Sequence, residues 1–159
     1  MEKDIQVVGF RIGGETYGVP IGAVREIVRV PSITPVPNAA DTIEGVINLR
    51  GKIIPVMDLR KRFRELEIKS DKKNRILVVE LESKLLGLIV NSASEVIKIP
   101  PSEIVPPGAV FADTDSSYVT GVGKLSGRLI ILLDIARLLH RPEIKRLEEA
   151  AESVATVLS

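Results

Sequence analysis

The chain of 159 residues contains no cysteine, no tryptophan and a single histidine. Without cysteine it can form no disulfide, no thiolate metal site and no cysteine nucleophile, and one histidine cannot supply a two-histidine metal site. These absences remove several classes of enzyme from consideration. The lack of cysteine also fits a protein of a reducing compartment.

Aromatic residues are scarce as well, at 3% of the sequence. With 45% hydrophobic and 27% charged residues, the composition is that of a folded protein whose core is built from valine, isoleucine and leucine. Because β-branched residues favour strands, this composition predicts a mainly β protein. The length suits one ordinary domain or two very small units that share a core.

Neither sign of charge is in excess, since 22 basic and 21 acidic residues leave a formal net charge of +1. A nearly neutral chain has no overall field to attract nucleic acid or an anionic membrane, so we expect no nucleic-acid binding. The N-terminal segment MEKDIQVVGF is charged where a signal peptide has an apolar run, and no apolar run approaches the ~20 residues of a membrane helix. We therefore expect a cytoplasmic protein that does not insert into a membrane.

The first 31 residues predict a hairpin followed by a short helix. Two apolar segments flank Gly13-Gly14, a pair that tolerates the positive φ of a tight turn. Pro20 suits the first turn of a helix. After it, apolar residues recur at helical spacing until Pro31 ends the pattern. These residues are Ile21, Val24, Ile27 and Val28.

The segment IEGVINLRGKIIPVMDL, residues 43–59, predicts a second hairpin and the start of a helix. Arg50-Gly51 separates two apolar runs, and Asp58 is placed to cap the helix that follows. A weaker copy of the same pattern occupies residues 118–134, with its turn at Ser126-Gly127 and its cap at Asp134.

The two copies belong to an internal repeat that subtraction of residue numbers reveals. Three positions match at an offset of 69, six match at an offset of 76, and the difference is one insertion of seven residues in a proline-rich connection. Six identities in order across one predicted hairpin indicate a duplication. The pairs are Gly18 and Gly87, Glu26 and Glu95, Pro31 and Pro100, Gly45 and Gly121, Val46 and Val122, Leu49 and Leu125, Gly51 and Gly127, Ile54 and Ile130, and Asp58 and Asp134.

The repeat divides the predicted domain into residues 1–70 and 71–141, with about five short strands in each part. Two such units are expected to close as small five-stranded barrels that pack together. The pattern leaves open whether each barrel uses only its own strands, since the first hairpin can complete the other barrel. Residues 142–159 form a predicted amphipathic C-terminal helix, whose apolar face is Ile144, Leu147, Ala151, Val154 and Leu158.

Candidate catalytic and metal-binding residues are few. His140 lies at a predicted helix end, where a structural role is favoured. Asp113 and Asp115 lack the glycine and terminal glutamate of a calcium loop, which favours solvated turn residues. Glu26 and Glu95 recur in the two halves, which favours a shared structural contact over a carboxylate pair. The sequence predicts no enzyme, no metal site and no cofactor.

Surface features remain as the functional signal. Six apolar residues at matching places in the two halves either belong to the core or line a seam that accepts an amphipathic helix. Arg50 has no counterpart in the second copy, where Ser126 stands in its place. The apolar set is Val24, Ile27, Val28, Val90, Ala93 and Val96.

The motifs YGVPIGAVREIV, IEGVINLRGKIIPVMDLRKRF and YVTGVGKLSGRLIILLDIARLL, in this order, resemble the CheW family of bacterial chemotaxis coupling proteins. The resemblance covers roughly residues 5 to 140. It implies one CheW-like domain over residues 1–159 with two SH3-like barrels, which agrees with the duplicated pattern. Two other kinds of protein contain the same fold: the chemotaxis histidine kinase, as its last domain, and coupling proteins fused to a receiver domain. Neither is expected, because the chain starts at Met1 and leaves no room for an ATP site or a receiver.

The resemblance further implies a non-enzymatic adaptor without a cofactor that joins the cytoplasmic tip of chemoreceptors to the regulatory domain of the histidine kinase CheA. Such a protein is recruited to membrane receptor arrays through its partners. A small β-barrel that binds nucleic acid is the alternative from another class, although the chain has few aromatics for base stacking. Four positions, Val24, Glu26, Gly45 and Arg50, match family residues tied to coupling. The full predicted partner-binding set is Val24, Glu26, Ile27, Gly45, Asn48, Arg50, Gly51 and Val90.

Overall fold

A computed structural model describes residues 3–37, 43–63, 70–108 and 118–139, together with Ile68, Lys145, Glu149 and Glu152. The elements are almost all strands, so the predicted mainly β class is confirmed. Two single-turn 3-10 helices, Ile21–Ala23 and Pro101–Glu103, precede strands. The elements in chain order are β1 (Ile5–Ile12), β2 (Glu15–Pro20), β3 (Val24–Arg29), β4 (Ile43–Leu49), β5 (Lys52–Asp58), α1 (Leu59–Arg62), β6 (Arg75–Leu81), β7 (Lys84–Val90), β8 (Ser92–Ile99), β9 (Ile104–Val105), β10 (Val119–Leu125), β11 (Arg128–Leu133) and α2 (Ile135–Leu138).

The strands form two sheets, and each sheet takes strands from both halves of the chain. A six-stranded sheet has the order β8-β1-β2-β11-β10-β9, and a five-stranded sheet has the order β3-β6-β7-β5-β4. The first hairpin, β1–β2, therefore pairs with strands of the second half, while β6–β7 pairs with strands of the first half. The division of the chain at residues 70 and 71 stays a prediction about the repeat, since neither sheet respects it.

The registers of the two sheets repeat the sequence offsets. Gly18 on β2 lies opposite Leu132 on β11, and Gly87 on β7 lies opposite Val56 on β5. Both of these pairings are parallel, whereas neighbouring hairpin strands pair antiparallel. Gly18 and Gly87 differ by 69 and Val56 and Leu132 by 76, so equivalent residues occupy equivalent places in the two sheets.

The prediction of a helix after Pro20 is wrong, because the strand β3 occupies Val24–Arg29. A β-bulge between Val24 and Glu26 explains the misleading pattern. The extra residue, Arg25, changes the alternation, so Val24 and Ile27 lie on one face of the sheet while Glu26 and Val28 lie on the other. A spacing of three and then one residue imitates a helix although the backbone is extended.

Three apolar clusters hold the sheets together. One lies within the five-stranded sheet, one within the six-stranded sheet, and the largest lies between the two sheets. Their members are mostly valine, isoleucine and leucine, as the composition predicts. Fully buried side chains of the central cluster include Phe10, Ile12, Met57, Leu59, Leu77, Leu88 and Leu133.

Four of the five aromatic residues form a row of ring contacts along the central cluster. The ring of Tyr17 on β2 lies 5.9 Å from that of Phe10 and 5.1 Å from that of Phe63, and Phe63 lies 5.8 Å from Tyr118. Offset contacts of this kind each contribute roughly 0.5–1.5 kcal/mol beyond their buried area. Since Phe63 follows β5 of one sheet and Tyr17 belongs to the other, the row joins the two sheets.

Asp58 and Asp134 cap the two short helices, as predicted. Asp58 Oδ1 accepts a hydrogen bond from the backbone N–H of Arg60 at 3.0 Å, and Asp134 Oδ1 accepts one from that of Ala136 at 2.9 Å. The two sites differ in one respect. Both carboxylate oxygens of Asp58 also bind the Arg60 guanidinium at 3.0 Å, and this ion pair is buried.

The predicted C-terminal helix over 142–159 lies outside the described residues, apart from Lys145, Glu149 and Glu152. His140, Asp113 and Asp115 also lie outside them. In the part of the chain that is described, no helix is long and apolar enough to span a membrane.

Candidate functional site

The tip of the hairpin β4–β5 carries Arg50, whose guanidinium Nη2 donates to Glu26 Oε2 on β3 at 2.5 Å. Arg50 and Gly51 have φ values of 51° and 88°, so both central residues of the turn are left-handed, as a type I′ turn requires. Asn48 Oδ1 accepts a hydrogen bond from the Gly51 N–H at 2.9 Å, which supports the turn. The turn thereby holds the guanidinium over β3.

This ion pair connects the two edges of the five-stranded sheet. β3 and β4 are its outermost strands, so their residues have no neighbouring strand on one side within this sheet. Glu26 lies on the face of β3 that lines the sheet's own core, and its side chain is 30% exposed, against 70% for Arg50. The pair therefore bridges the two outer strands of the sheet at a place that is exposed to solvent.

The ion pair also shifts the protonation equilibria of both groups. The hydrogen bond from Arg50 lowers the pKa of the Glu26 carboxyl below its usual value, and partial burial opposes this effect. The same bond raises the pKa of Arg50. At neutral pH both groups are charged, so the site presents a fixed dipole with its positive end outward.

A second ion pair occupies the equivalent place in the six-stranded sheet. Arg128 Nη2 donates to Glu95 Oε1 at 3.1 Å. Glu95 is the repeat partner of Glu26, but Arg128 corresponds to Lys52, while the position of Arg50 is taken by Ser126. The cation thus comes from the second strand of the hairpin instead of from its turn. The pair was not predicted from the sequence, although the recurrence of the two glutamates pointed to it.

Two exposed aliphatic residues lie on the outermost strands of the two sheets. Ile27 on β3 is 37% exposed and Val96 on β8 is 52% exposed. They are repeat partners at the offset of 69. Ile27 lies opposite Leu77 and Val96 lies opposite Val8, and both of these neighbours are buried in the central cluster. Each exposed residue therefore extends the apolar face of the central cluster to the protein surface.

Three further residues of the predicted sets, Val90, Ala93 and Gly45, are buried in the structure. Val90 is fully buried, and Ala93 is 7% exposed. Gly45 is buried on β4 with φ of +143°, and a Cβ there would lie 2.1 Å from the carbonyl oxygen of Thr34. The close approach of Thr34 accounts for this glycine without a partner. Val24 and Val28 are half-buried at the edges of two clusters.

The family model described as CheW-like domain matches residues 6–143. The chain belongs to this family. Two chemotaxis proteins named CheW are each 33% identical to it: that of Klebsiella aerogenes over 91% of this chain and 87% of that protein, and that of Treponema pallidum over 92% and 88%.

A solved structure gives the same result. The crystal structure of the scaffolding protein TtCheW from Thermoanaerobacter tengcongensis is 40% identical, covers 90% of this chain and 96% of its own, and superposes with a TM-score of 0.78. The two SH3-like barrels implied by the CheW resemblance are therefore confirmed. The chain is a chemotaxis adaptor of the CheW-like family, and none of the comparisons supports the nucleic-acid alternative.

Proposed function

We propose that this CheW-like chain couples the cytoplasmic tip of chemoreceptors to the regulatory domain of the histidine kinase CheA, without catalytic activity of its own. It acts in the cytoplasm and joins membrane receptor arrays through these partners. The observation that carries the proposal is the exposed aliphatic pair Ile27 and Val96 at equivalent edges of the two sheets. A chemotaxis adaptor needs surfaces for other proteins, and this pair is apolar surface left uncovered.

The receptor is the partner that best fits the aliphatic pair. Receptor tips are helical hairpins, and an amphipathic helix places its apolar residues three and four positions apart along one face. Ile27 and Val96 offer two such contacts on the outermost strands of different sheets. In this proposal one receptor helix lies in a groove between the sheets and packs against both residues.

The kinase domain fits the hairpin end marked by Glu26 and Arg50. A CheA regulatory domain of similar barrel fold presents hairpins of its own, so a barrel-to-barrel contact is geometrically natural. The exposed guanidinium of Arg50 supplies up to four more donors for acceptors on the partner, because only Nη2 is seen to bind Glu26. Among the predicted site residues, Asn48 and Gly51 support the turn that presents this group.

Co-sedimentation with a CheA regulatory domain and a receptor signalling fragment tests the proposal. The wild-type chain is expected to join both partners at tens of micromolar or below. Ile27→Ser and Val96→Ser should each weaken receptor binding by about tenfold, since burying one aliphatic side chain contributes roughly 1.5 kcal/mol. Binding of the kinase domain alone should change little in these variants.

Leu129→Ser is the matched control, because Leu129 is 49% exposed on β11 and is not part of the aliphatic pair. If this variant binds the receptor as the wild type does and the other two bind it more weakly, the result supports receptor binding at Ile27 and Val96. Absence of binding to either partner by the wild-type chain contradicts the proposed function. Retention of single-stranded oligonucleotides at physiological salt would instead favour the nucleic-acid alternative.

A further inference from the structure

A cleft at the end of β3 concentrates positive charge that the proposed function does not use. Its volume is about 1040 Å³, and it lies between the end of β3, the start of α1 and the loop that leads into β6. Among the residues that the structure describes, six basic and three acidic side chains line it, a net charge of +3, whereas the whole chain carries +1. The basic side chains are Arg29, Arg60, Lys61, Lys72, Lys73 and Arg75.

Two of the arginines face each other across neighbouring strands. Arg29 on β3 lies directly opposite Arg75 on β6 in the antiparallel register. Like charges in this position destabilise a sheet. Arg75 Nη1 donates to the backbone carbonyls of Lys72 and Asn74, each at 2.8 Å, so its guanidinium is held beside the loop that carries two lysines.

The acidic residues of the cleft already have partners within the cleft. Asp58 binds Arg60, and Glu44 pairs with Lys61. The third, Asp71, accepts a hydrogen bond from the backbone N–H of Lys73 at 2.8 Å. Among the described residues no carboxylate lies within ion-pair distance of the remaining four cations, which are Arg29, Lys72, Lys73 and Arg75.

The repeat shows that this charge is not required by the fold. At the equivalent place in the six-stranded sheet, Gln6 lies opposite Lys98, so no like-charged pair forms. The positions equivalent to Lys72 and Lys73 are Lys3 and Asp4, whose charges cancel. The four positions thus carry a net charge of +4 in the five-stranded sheet and +1 at the equivalent place in the six-stranded sheet. Like charges oppose each other across strands in only one of the two copies. This indicates a function specific to the copy that contains the two arginines.

We propose that this basic cleft binds an acidic, extended peptide segment of a partner protein. Carboxylates of the segment neutralise the facing arginines and the two lysines. Val30, which is 37% exposed, Pro31 and Ile33 give the cleft an apolar side that takes a neighbouring aliphatic residue of the segment. A concave site with mixed walls suits a peptide better than a flat membrane surface or a nucleic-acid duplex.

The test measures fluorescence anisotropy of a fluorescein-labelled octapeptide made of glutamate with one valine and one leucine. We expect binding by the wild-type chain at ~50 mM salt that weakens severalfold at ~300 mM, because exposed charges are screened. Arg75→Gln, which copies the arrangement of the other repeat, should weaken binding about threefold, and Arg29→Gln with Arg75→Gln about tenfold. Circular dichroism of each variant confirms that the fold is retained.

Lys98→Gln is the matched control, since it removes one charge at the equivalent position and should leave peptide affinity unchanged. An equal loss in this control shows nonspecific attraction and overturns the proposal, as does undetectable binding by the wild-type chain. Tighter binding to a single-stranded oligonucleotide or to phosphatidylglycerol vesicles than to the peptide overturns it in favour of that class. The measurement uses the chain alone, so its failure leaves the receptor and kinase proposal untouched.

Discussion

Glu26 and Arg50 are 24 residues apart in the sequence, yet their side chains meet at 2.5 Å and join the two outer strands of one sheet. The contact exists because the turn of the hairpin β4–β5 places Arg50 over β3. It occurs in modified form in the other sheet, where Glu95 binds Arg128. The two glutamates occupy equivalent positions in the repeats, whereas the two arginines do not. The position of the arginine therefore distinguishes the two hairpins.

Removal of the Arg50 side chain should weaken assembly with the kinase domain without unfolding the chain. Arg50 has φ of 51°, a conformation that asparagine adopts more readily than alanine. Arg50→Asn is therefore a cleaner variant than Arg50→Ala, in which turn strain adds to the loss of charge. We expect about a fivefold to tenfold weaker affinity in a three-component co-sedimentation assay.

Ser126→Asn is the control for this experiment, because Ser126 occupies the same turn position in the second hairpin with φ of 49°. It should assemble as the wild type does. Equal assembly by Arg50→Asn and wild type would show that the guanidinium serves only to bridge the two outer strands of the sheet.

The stability supplied by the ion pair should depend on pH in the acid range. Since Arg50 lowers the pKa of Glu26 in the folded state, the stabilisation is complete above the ordinary pKa of a glutamate, ~4.3. It is lost as the pH falls through the lower folded-state pKa. Denaturant unfolding of wild type and Glu26→Gln at a series of pH values measures this. The difference between their free energies of unfolding should shrink towards acid pH; a constant difference contradicts the assigned cause.

Gly45→Ala should destabilise the chain by about 3 kcal/mol or more. The Cβ would lie 2.1 Å from a backbone carbonyl oxygen, and φ of +143° adds strain. Gly121→Ala is the repeat-matched comparison, since its Cβ would lie 3.0 Å from the Ile104 side chain and 3.3 Å from the Val105 carbonyl oxygen. A smaller loss is expected there in urea denaturation. Equal losses would mean that Thr34 moves aside.

Arg29→Gln should raise the free energy of unfolding by about 0.5 kcal/mol, because it removes a like-charged pair across β3 and β6 while Arg75 keeps its hydrogen bonds to the loop. Gln6→Arg makes the reverse change, creating such a pair with Lys98, and should lower stability by a similar amount. Thermal or urea unfolding at low salt measures both variants. The effects should diminish at high salt, and a stabilised Gln6→Arg variant would contradict the electrostatic explanation.

Local patterns predicted most of the hairpins correctly, because a tight turn and the alternation of side chains lie within a few residues of one another. The turns at Arg50-Gly51 and Ser126-Gly127 and the caps at Asp58 and Asp134 are examples. The extended structure of β3 was missed because a one-residue bulge at Arg25 changes the spacing of apolar residues. No local signal records that bulge.

Contacts between segments that are distant in the sequence could not be predicted from local patterns. The pairing of Glu26 with Arg50 depends on how the sheet curves, and the opposition of Arg29 and Arg75 depends on which strands become neighbours. Val90 and Ile27 have similar apolar character in sequence, yet one is fully buried and the other is at an edge. Val90 lies on β7 inside the five-stranded sheet, whereas Ile27 lies on the edge strand β3.

The mixed composition of the sheets has a consequence for synthesis on the ribosome. β2 ends at Pro20, but its parallel partner β11 begins at Arg128, so about a hundred further residues must be translated before that edge is covered. An uncovered edge strand is a template for association between chains. A nascent chain of this protein therefore carries an open edge for most of its elongation. Chaperones that cover this edge matter more here than in a protein whose repeats fold independently.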